Sequence, residues 1–215
     1  MKKKTHISQI RFKYKTDKLD VKNISSNPFK QFEKWLKQAI NNKVHEPTAM
    51  ALSTIKNNKS SNRIVLLKDI ENNNFVFYTN LKSRKSNELK INNNVAAVFW
   101  WPQIGKQVRI EGRVSFVTSK EASEYFSTRS RKSQIGAWAS SQSKLLKNRE
   151  FLLKRFKIIE KRFANKDIPR PPFWSGYKIN PNLIEFWQGR ENRLHDRIVY
   201  KKIRNKKWKI YRLNP

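Results

Sequence analysis

The run Arg193-Leu194-His195-Asp196-Arg197 sets two guanidiniums and an imidazole at alternate positions. In an extended strand residues 193, 195 and 197 share one face, about 7 Å apart. At an effective dielectric of about 20, each like-charge pair costs roughly 2 kcal/mol. A bound anion would offset that cost, and so would a solvated edge strand in which Glu191 and Asp196 are the partners. Ser83-Arg84-Lys85-Ser86 opens a short helical pattern. Free backbone N–H groups, two cations and two hydroxyls there suit a phosphate, although a basic helix in a basic protein has the same composition. Arg63-Ile64-Val65-Leu66-Leu67-Lys68 reads as a buried strand with a cation at each end, which either bind an anion or snorkel to water. Tyr125, Arg129 and Ser133 supply three further phosphate-type donors within nine residues.

Other chemistries are excluded by what is missing. The five glycines form neither GxGxxG nor a P-loop, so Rossmann and Walker phosphate sites are ruled out. There is no Cys, which removes disulfides, thiolate metal sites and Cys nucleophiles and fits a reducing cytoplasm. The three His residues lack metal-ligand spacing, and no Ser/His/Asp order stands out. A cofactor is therefore expected to carry any chemistry, and no metal is expected.

These candidates must be positioned by a chain of 215 residues with a formal net charge of +32 and 12% aromatic residues. That length and aromatic content support a packed core. The charge invites a polyanion partner. However, Lys and Asn recur throughout (Lys2-Lys3-Lys4, Asn72-Asn73-Asn74, Asn92-Asn93-Asn94) rather than gathering in one stripe, which points to compositional drift. No segment approaches 18 apolar residues and the basic start is not followed by an apolar run, so neither a membrane span nor a signal peptide is expected.

Residues 1–26 read as a mobile arm and 27–215 as a single α+β domain with a β-barrel centre. Asn27-Pro28 starts a helix to about Lys43, with Phe29, Phe32, Leu36, Ala39 and Ile40 on one face. Strand-like runs follow at Ala49–Ile55, Arg63–Lys68, Phe75–Thr79, Val95–Trp101 and Gln107–Thr118, with hairpin signals at Asn57-Asn58 and Asn72-Asn73-Asn74. In the last strand Val108, Ile110, Val114 and Phe116 share a face, which Gly112 interrupts as a bulge or a close backbone approach. Ser119–Phe126, capped by Ser119, and Arg149–Phe163 read as helices. Tyr177–Ile179, Ile184–Trp187 and Trp208–Arg212 read as closing strands, with Arg193–Tyr200 extended.

Taken together, these segments resemble the pyridoxamine 5′-phosphate oxidase family, FMN-dependent enzymes with a split β-barrel and flanking helices. The likeness runs from about Arg11 to Pro215 and is carried by RIVLLK at 63–68, FYTNLKSRK at 77–85, QVRIEG at 107–112, SQIGAW at 133–138, IEFWQG at 184–189 and RLHDR at 193–197. It implies an FMN site of Arg63, Ile64, Val65, Leu66, Leu67, Lys68, Tyr78, Thr79, Arg84, Lys85, Gln107, Gln142, Ser143, Trp187 and Arg197, at the interface of a homodimer. It implies that Lys68, Tyr125, Arg129 and Ser133 hold the substrate phosphate, and that Arg193, Leu194 and His195 place the pyridine ring, with Arg193 and His195 nearest the chemistry. Arg11 and Tyr14 match the family's arm over the substrate. The implied reaction oxidises pyridoxine 5′-phosphate or pyridoxamine 5′-phosphate to pyridoxal 5′-phosphate, with O2 as acceptor and H2O2 as product, in the cytoplasm. The chain departs from the family pattern at Ser130, Lys132, Ser175 and Arg190. The competing readings are a nucleic-acid-binding protein, which lacks any recognition motif here, and a split-barrel flavin protein or B6-phosphate carrier with another task. No specific nucleic acid is expected.

Overall fold

The computed structural model describes residues 6–9, 14, 16, 18–204 and 207–215. Arg11, assigned above to the arm over the substrate, lies outside them. The fold is mainly β. Nine strands form one sheet: β1 (Ala49–Lys56), β2 (Lys59–Leu66), β3 (Asp69–Glu71), β4 (Asn74–Asn80), β5 (Asn94–Trp101), β6 (Lys106–Phe116), β7 (Trp174–Gln188), β8 (Asp196–Lys202) and β9 (Trp208–Leu213). Their order is β2-β1-β5-β6-β7-β4-β3, with β8 added to β7 and β9 to β8. Five α-helices are described: α1 (Pro28–Asn41), α2 (Arg84–Ile91), α3 (Ser119–Ser127), α4 (Arg131–Ala139) and α5 (Arg149–Arg162). The chain forms two compact units, a first of residues 48–97 and 111–182 and a second of residues 1–47, 98–110 and 183–215.

Local chemistry explains the elements. Asn27 Oδ1 caps α1 by accepting from the N–H groups of Phe29 and Lys30, and Pro28 costs nothing at the first helical position. The helix buries Phe29, Phe32, Trp35 and Ala39, with Phe32 edge-on to Phe99 and Trp35 edge-on to Phe186. Ile40, expected on this face, lies at the edge of the stripe in the last turn and is 55% exposed. Both Asn-rich turns are two-residue hairpins: Asn57, Asn58, Asn72 and Asn73 all have φ between 48° and 59°, the left-handed geometry that a type I′ turn needs. Gly112 marks a close backbone approach, because a Cβ there would stand 2.3 Å from the Asn180 carbonyl oxygen.

Several expectations need correction. β2 is not a buried strand: it ends the strand path with one edge unpaired, and Ile64 is 63% exposed while only Leu67, beyond the strand, is buried. Phe116 leaves the core face of β6 and lies against Tyr177. The cap of α3 is Thr118, whose hydroxyl and Glu121 form a reciprocal capping box, rather than Ser119. The two strands expected within 177–187 are one. β4 pairs with residues 174–179 and β8 with 183–188, so Pro181 falls between these two ladders. The strand expected from Arg193 starts only at Asp196, because Asn192 and Arg193 take left-handed φ values of 56° and 60° in a turn closed by the Leu194 N–H on the Glu191 carbonyl. Residues 193, 195 and 197 therefore do not share one strand face.

Candidate active site

The first unit carries an open cavity of about 700 Å³. Strand β2 contributes Ile64, Val65 and Leu66, β4 contributes Tyr78 and Thr79, and α2 contributes Lys85. Lys68, Tyr125, Arg129, Ser133 and Gln142 complete the expected residues on its wall. Asn80, Ser130, Gly136, Ala137, Ser140 and Trp174 also line it, and the likeness assigned none of them to cofactor or substrate.

Two cationic centres in the cavity suit anions. Lys85 is only 8% exposed, and among the described residues it forms no ion pair. Its ammonium donates to Thr79 Oγ1 at 2.9 Å, Gln142 Oε1 at 3.2 Å and Ser83 Oγ at 3.4 Å. Burial, then the charge of Arg63, push its pKa down to about 8, against an opposing pull from Glu88. Ser83 also caps α2, so the ammonium sits by the helix N-terminus. The second centre is Arg129. Its guanidinium stands 5.0 Å from the Trp174 ring centroid and 5.6 Å from that of Phe126, and its buried Nη1 has no hydrogen-bond partner among the described residues. A buried guanidinium nitrogen left unpaired is costly unless a ligand supplies the acceptor. Burial lowers its pKa, opposed by Tyr125. Beside it Tyr125 stacks on Tyr78 at 4.1 Å, and Tyr78 on Trp174 at 5.3 Å, giving a flat aromatic wall. Burial, then Glu121, push the Tyr78 phenol up to about 12, so it stays protonated.

Other expected residues lie elsewhere. Arg63 is turned to Glu88, 3.0 Å away, and donates to Thr54 Oγ1 and the Leu52 carbonyl. Burial alone would raise the Glu88 pKa, but hydrogen bonds from Thr54, Ser61 and Arg84 and the charge of Arg63 hold it at about 2. Arg84 pairs with the same carboxylate at 2.8 Å and lines a separate cavity of about 420 Å³ with Ser143 and Lys144. Leu67 is core.

Gln107, Trp187, Arg193, Leu194, His195, Arg197 and Tyr14 belong to the second unit. There the His195 ring lies 4.6 Å from Trp187, and Tyr14 meets both rings edge-on at 5.6 and 5.7 Å. His195 Nδ1 accepts from the Arg190 backbone N–H at 3.0 Å, which leaves the proton of the neutral ring on Nε2. Burial, then Arg193, lower its pKa and favour that neutral form. Arg197 donates to Glu185 Oε1 at 2.7 Å, and Arg109 donates to Oε2 at 2.8 Å. Glu185 is a missed residue; its signal was a lone carboxylate inside the apolar run IEFW, where a buried charge needs partners. Among the described residues no group of three His, Cys, Asp or Glu side chains could hold a metal ion, and no helix is long and apolar enough to cross a membrane.

Residues 36–162 match the family model described as pyridoxamine 5′-phosphate oxidase. The chain belongs to the pyridoxamine 5′-phosphate oxidase family. Residues 174–215 match the family's model of the pyridoxine 5′-phosphate oxidase C-terminal dimerisation region. Among its relatives, pyridoxine/pyridoxamine 5′-phosphate oxidases from a Cyanothece species and from Aliarcobacter butzleri are each 45% identical over 97% of this chain, and cover 98% and 99% of those proteins. The crystal structure of PhzG from Burkholderia lata, in complex with tetrahydrophenazine-1-carboxylic acid, superposes with a TM-score of 0.87 at 30% identity, over 93% of this chain and 99% of that one. The fold is also that of an FMN-binding, oxidase-related protein from Nostoc punctiforme, with a TM-score of 0.72 at 15% identity over 89% of this chain and all of that one.

Proposed function

We propose that this family member oxidises pyridoxine 5′-phosphate and pyridoxamine 5′-phosphate to pyridoxal 5′-phosphate, using FMN and dioxygen. The observation that carries the reading is one cavity with two cationic centres, Lys85 and Arg129, that have no carboxylate partner among the described residues, beside an aromatic wall. Two phosphorylated, flat molecules meet that chemistry. The residues fit FMN: Lys85, Thr79 and Gln142 form a preformed polar cradle beside a helix N-terminus. We assign FMN binding to that cradle together with Ile64, Val65, Leu66, Lys68 and Tyr78 and, across a homodimer whose interface includes residues 174–215, Gln107, Trp187 and Arg197.

FMN held there would supply two-electron chemistry, as hydride acceptor for the substrate C4′ carbon with dioxygen as the final acceptor, reduced to hydrogen peroxide. The chain's own part is binding and orientation. Arg129 pairs its free Nη1 with the substrate phosphate, assisted by Lys68, Tyr125 and Ser133. His195 offers Nε2–H as a hydrogen-bond donor to the pyridine substituents. Arg193 steers the C4′ group by charge. Leu194 and Tyr14 enclose the ring.

The test is aerobic turnover by FMN-loaded protein. Both phosphorylated substrates are expected to yield aldehyde and hydrogen peroxide in equal amounts, and unphosphorylated pyridoxine is expected to be a poor substrate. Absence of aldehyde from either phosphate ester overturns the reading, leaving a flavin protein with another substrate if the flavin is held.

A further inference from the structure

Arg190 stands between the segments that carry Trp187 and His195, and the chemistry above does not use its side chain. Its guanidinium reaches the N-terminal arm. Nη1 donates to the Thr16 carbonyl, and Nε lies 3.7 Å from Asp196 Oδ2. The same Oδ2 accepts from the Leu19 backbone N–H at 3.1 Å. Arg212 closes the set, donating to Asp196 Oδ1 at 2.5 Å and to the Leu19 carbonyl at 2.9 Å. Thr16 returns a hydrogen bond from Oγ1 to the Gly189 carbonyl, while the Gly189 N–H is fixed on the Gly105 carbonyl at 2.8 Å. Tyr14 lies so close to Gly189 that a Cβ there would fall 2.4 Å from the ring. The arm is thus tied at Thr16 and Leu19, and the tie seats Tyr14 against Trp187 and His195.

We propose that Arg190 is a positioning residue: its guanidinium latches the arm through the Thr16 carbonyl and Asp196, and so holds Tyr14 in place over His195 for substrate binding. Its backbone N–H orients His195 at the same time, so one residue ties the arm and the imidazole together. The proposal rests on Tyr14 and His195 being substrate residues. The latch is a set of hydrogen bonds that can be tested without any substrate.

The experiment compares wild type, Arg190→Ala and Arg190→Lys as full-length, FMN-loaded protein. The first readout is trypsin cleavage of the Lys18–Leu19 bond, followed by intact mass, with no substrate present. Leu19 is buried and both its backbone groups are bonded, so the wild-type bond is protected. Arg190→Ala is expected to speed that cut about tenfold, the loss of roughly one charge-assisted hydrogen bond. The second readout is steady-state turnover of pyridoxine 5′-phosphate. KM is expected to rise about tenfold with kcat within about twofold, the pattern for lost binding rather than lost chemistry. Arg190→Lys should fall between the two, because an ammonium serves the carbonyl or the carboxylate but not both in fork geometry. It carries the same comparison if Arg190→Ala loses flavin. Cleavage unchanged in the variants overturns the latch, and faster cleavage with unchanged KM overturns its role in substrate binding. Wild-type protein that cuts slowly but makes no aldehyde refutes the oxidase reading and leaves the latch standing.

Discussion

Arg129 and Lys85 are the residues on which the site turns, and they make different predictions. Arg129→Met removes the unpaired donor, so KM for both phosphorylated substrates should rise about 10–100-fold with a smaller change in kcat, measured by steady-state kinetics. Lys85→Met removes a buried ammonium that has no carboxylate partner among the described residues. Flavin affinity should drop, while the flavin-free variant melts at or above the wild-type temperature, because the charge-burial cost has gone. Lys85 also sets a pH dependence. The folded state holds it at about 8 against an ordinary 10.5, so between those values the folded chain carries fewer protons than the unfolded chain. Flavin-free stability therefore rises as pH climbs through that window, and the penalty is complete below about pH 8. Binding of inorganic phosphate should weaken over the same rise, as titration calorimetry would show. Lys85 stood out in the sequence as a phosphate candidate because a Ser-Arg-Lys-Ser helix start has a phosphate-binding logic of its own, and the fold sets it on the cavity wall. The turn of Arg63 toward Glu88 was not, because its partner lies 25 residues away and a strand pattern carries no information about which carboxylate crosses to it.

At the scale of elements, the hairpins and the caps were readable, since Asn-Asn and Asn-Pro impose their geometry locally. Helix α4 went unread: RKSQIGAWA has a glycine in its middle, no apolar stripe, and only Ile135 and Ala139 buried. Its shape is set by packing of Ile135 in a cluster with Phe126, Phe163, Ile168 and Trp174 rather than by propensity. The 193–197 segment misled because alternation suggests a strand, whereas two left-handed residues end any such run before Asp196. Gly112 gives the element-scale prediction. A Cβ there would stand 2.3 Å from a backbone oxygen and 2.8 Å from the Pro181 Cα, and neither can swing away. Gly112→Ala should cost about 1–3 kcal/mol in urea unfolding, and an unchanged midpoint would show that β6 and the 180–181 backbone separate freely.

For the whole molecule, the net charge of +32 is carried by Lys and Arg on every kind of element. Any nucleic-acid binding should therefore be weak, indifferent to sequence and steeply lost with salt. The family membership and its C-terminal dimerisation region lead to a homodimer in solution, so sedimentation at micromolar concentration should give twice the chain mass. A monomer that still turns over would remove the shared FMN site from the account.

The most direct test of the central claim is the absorption spectrum of FMN-loaded protein titrated with pyridoxine 5′-phosphate under air-free conditions. The account predicts flavin bands that bleach on substrate addition, with one aldehyde formed per flavin reduced, and that return when air is admitted. Flavin bands that persist through excess substrate, or protein that takes up no FMN, would contradict it.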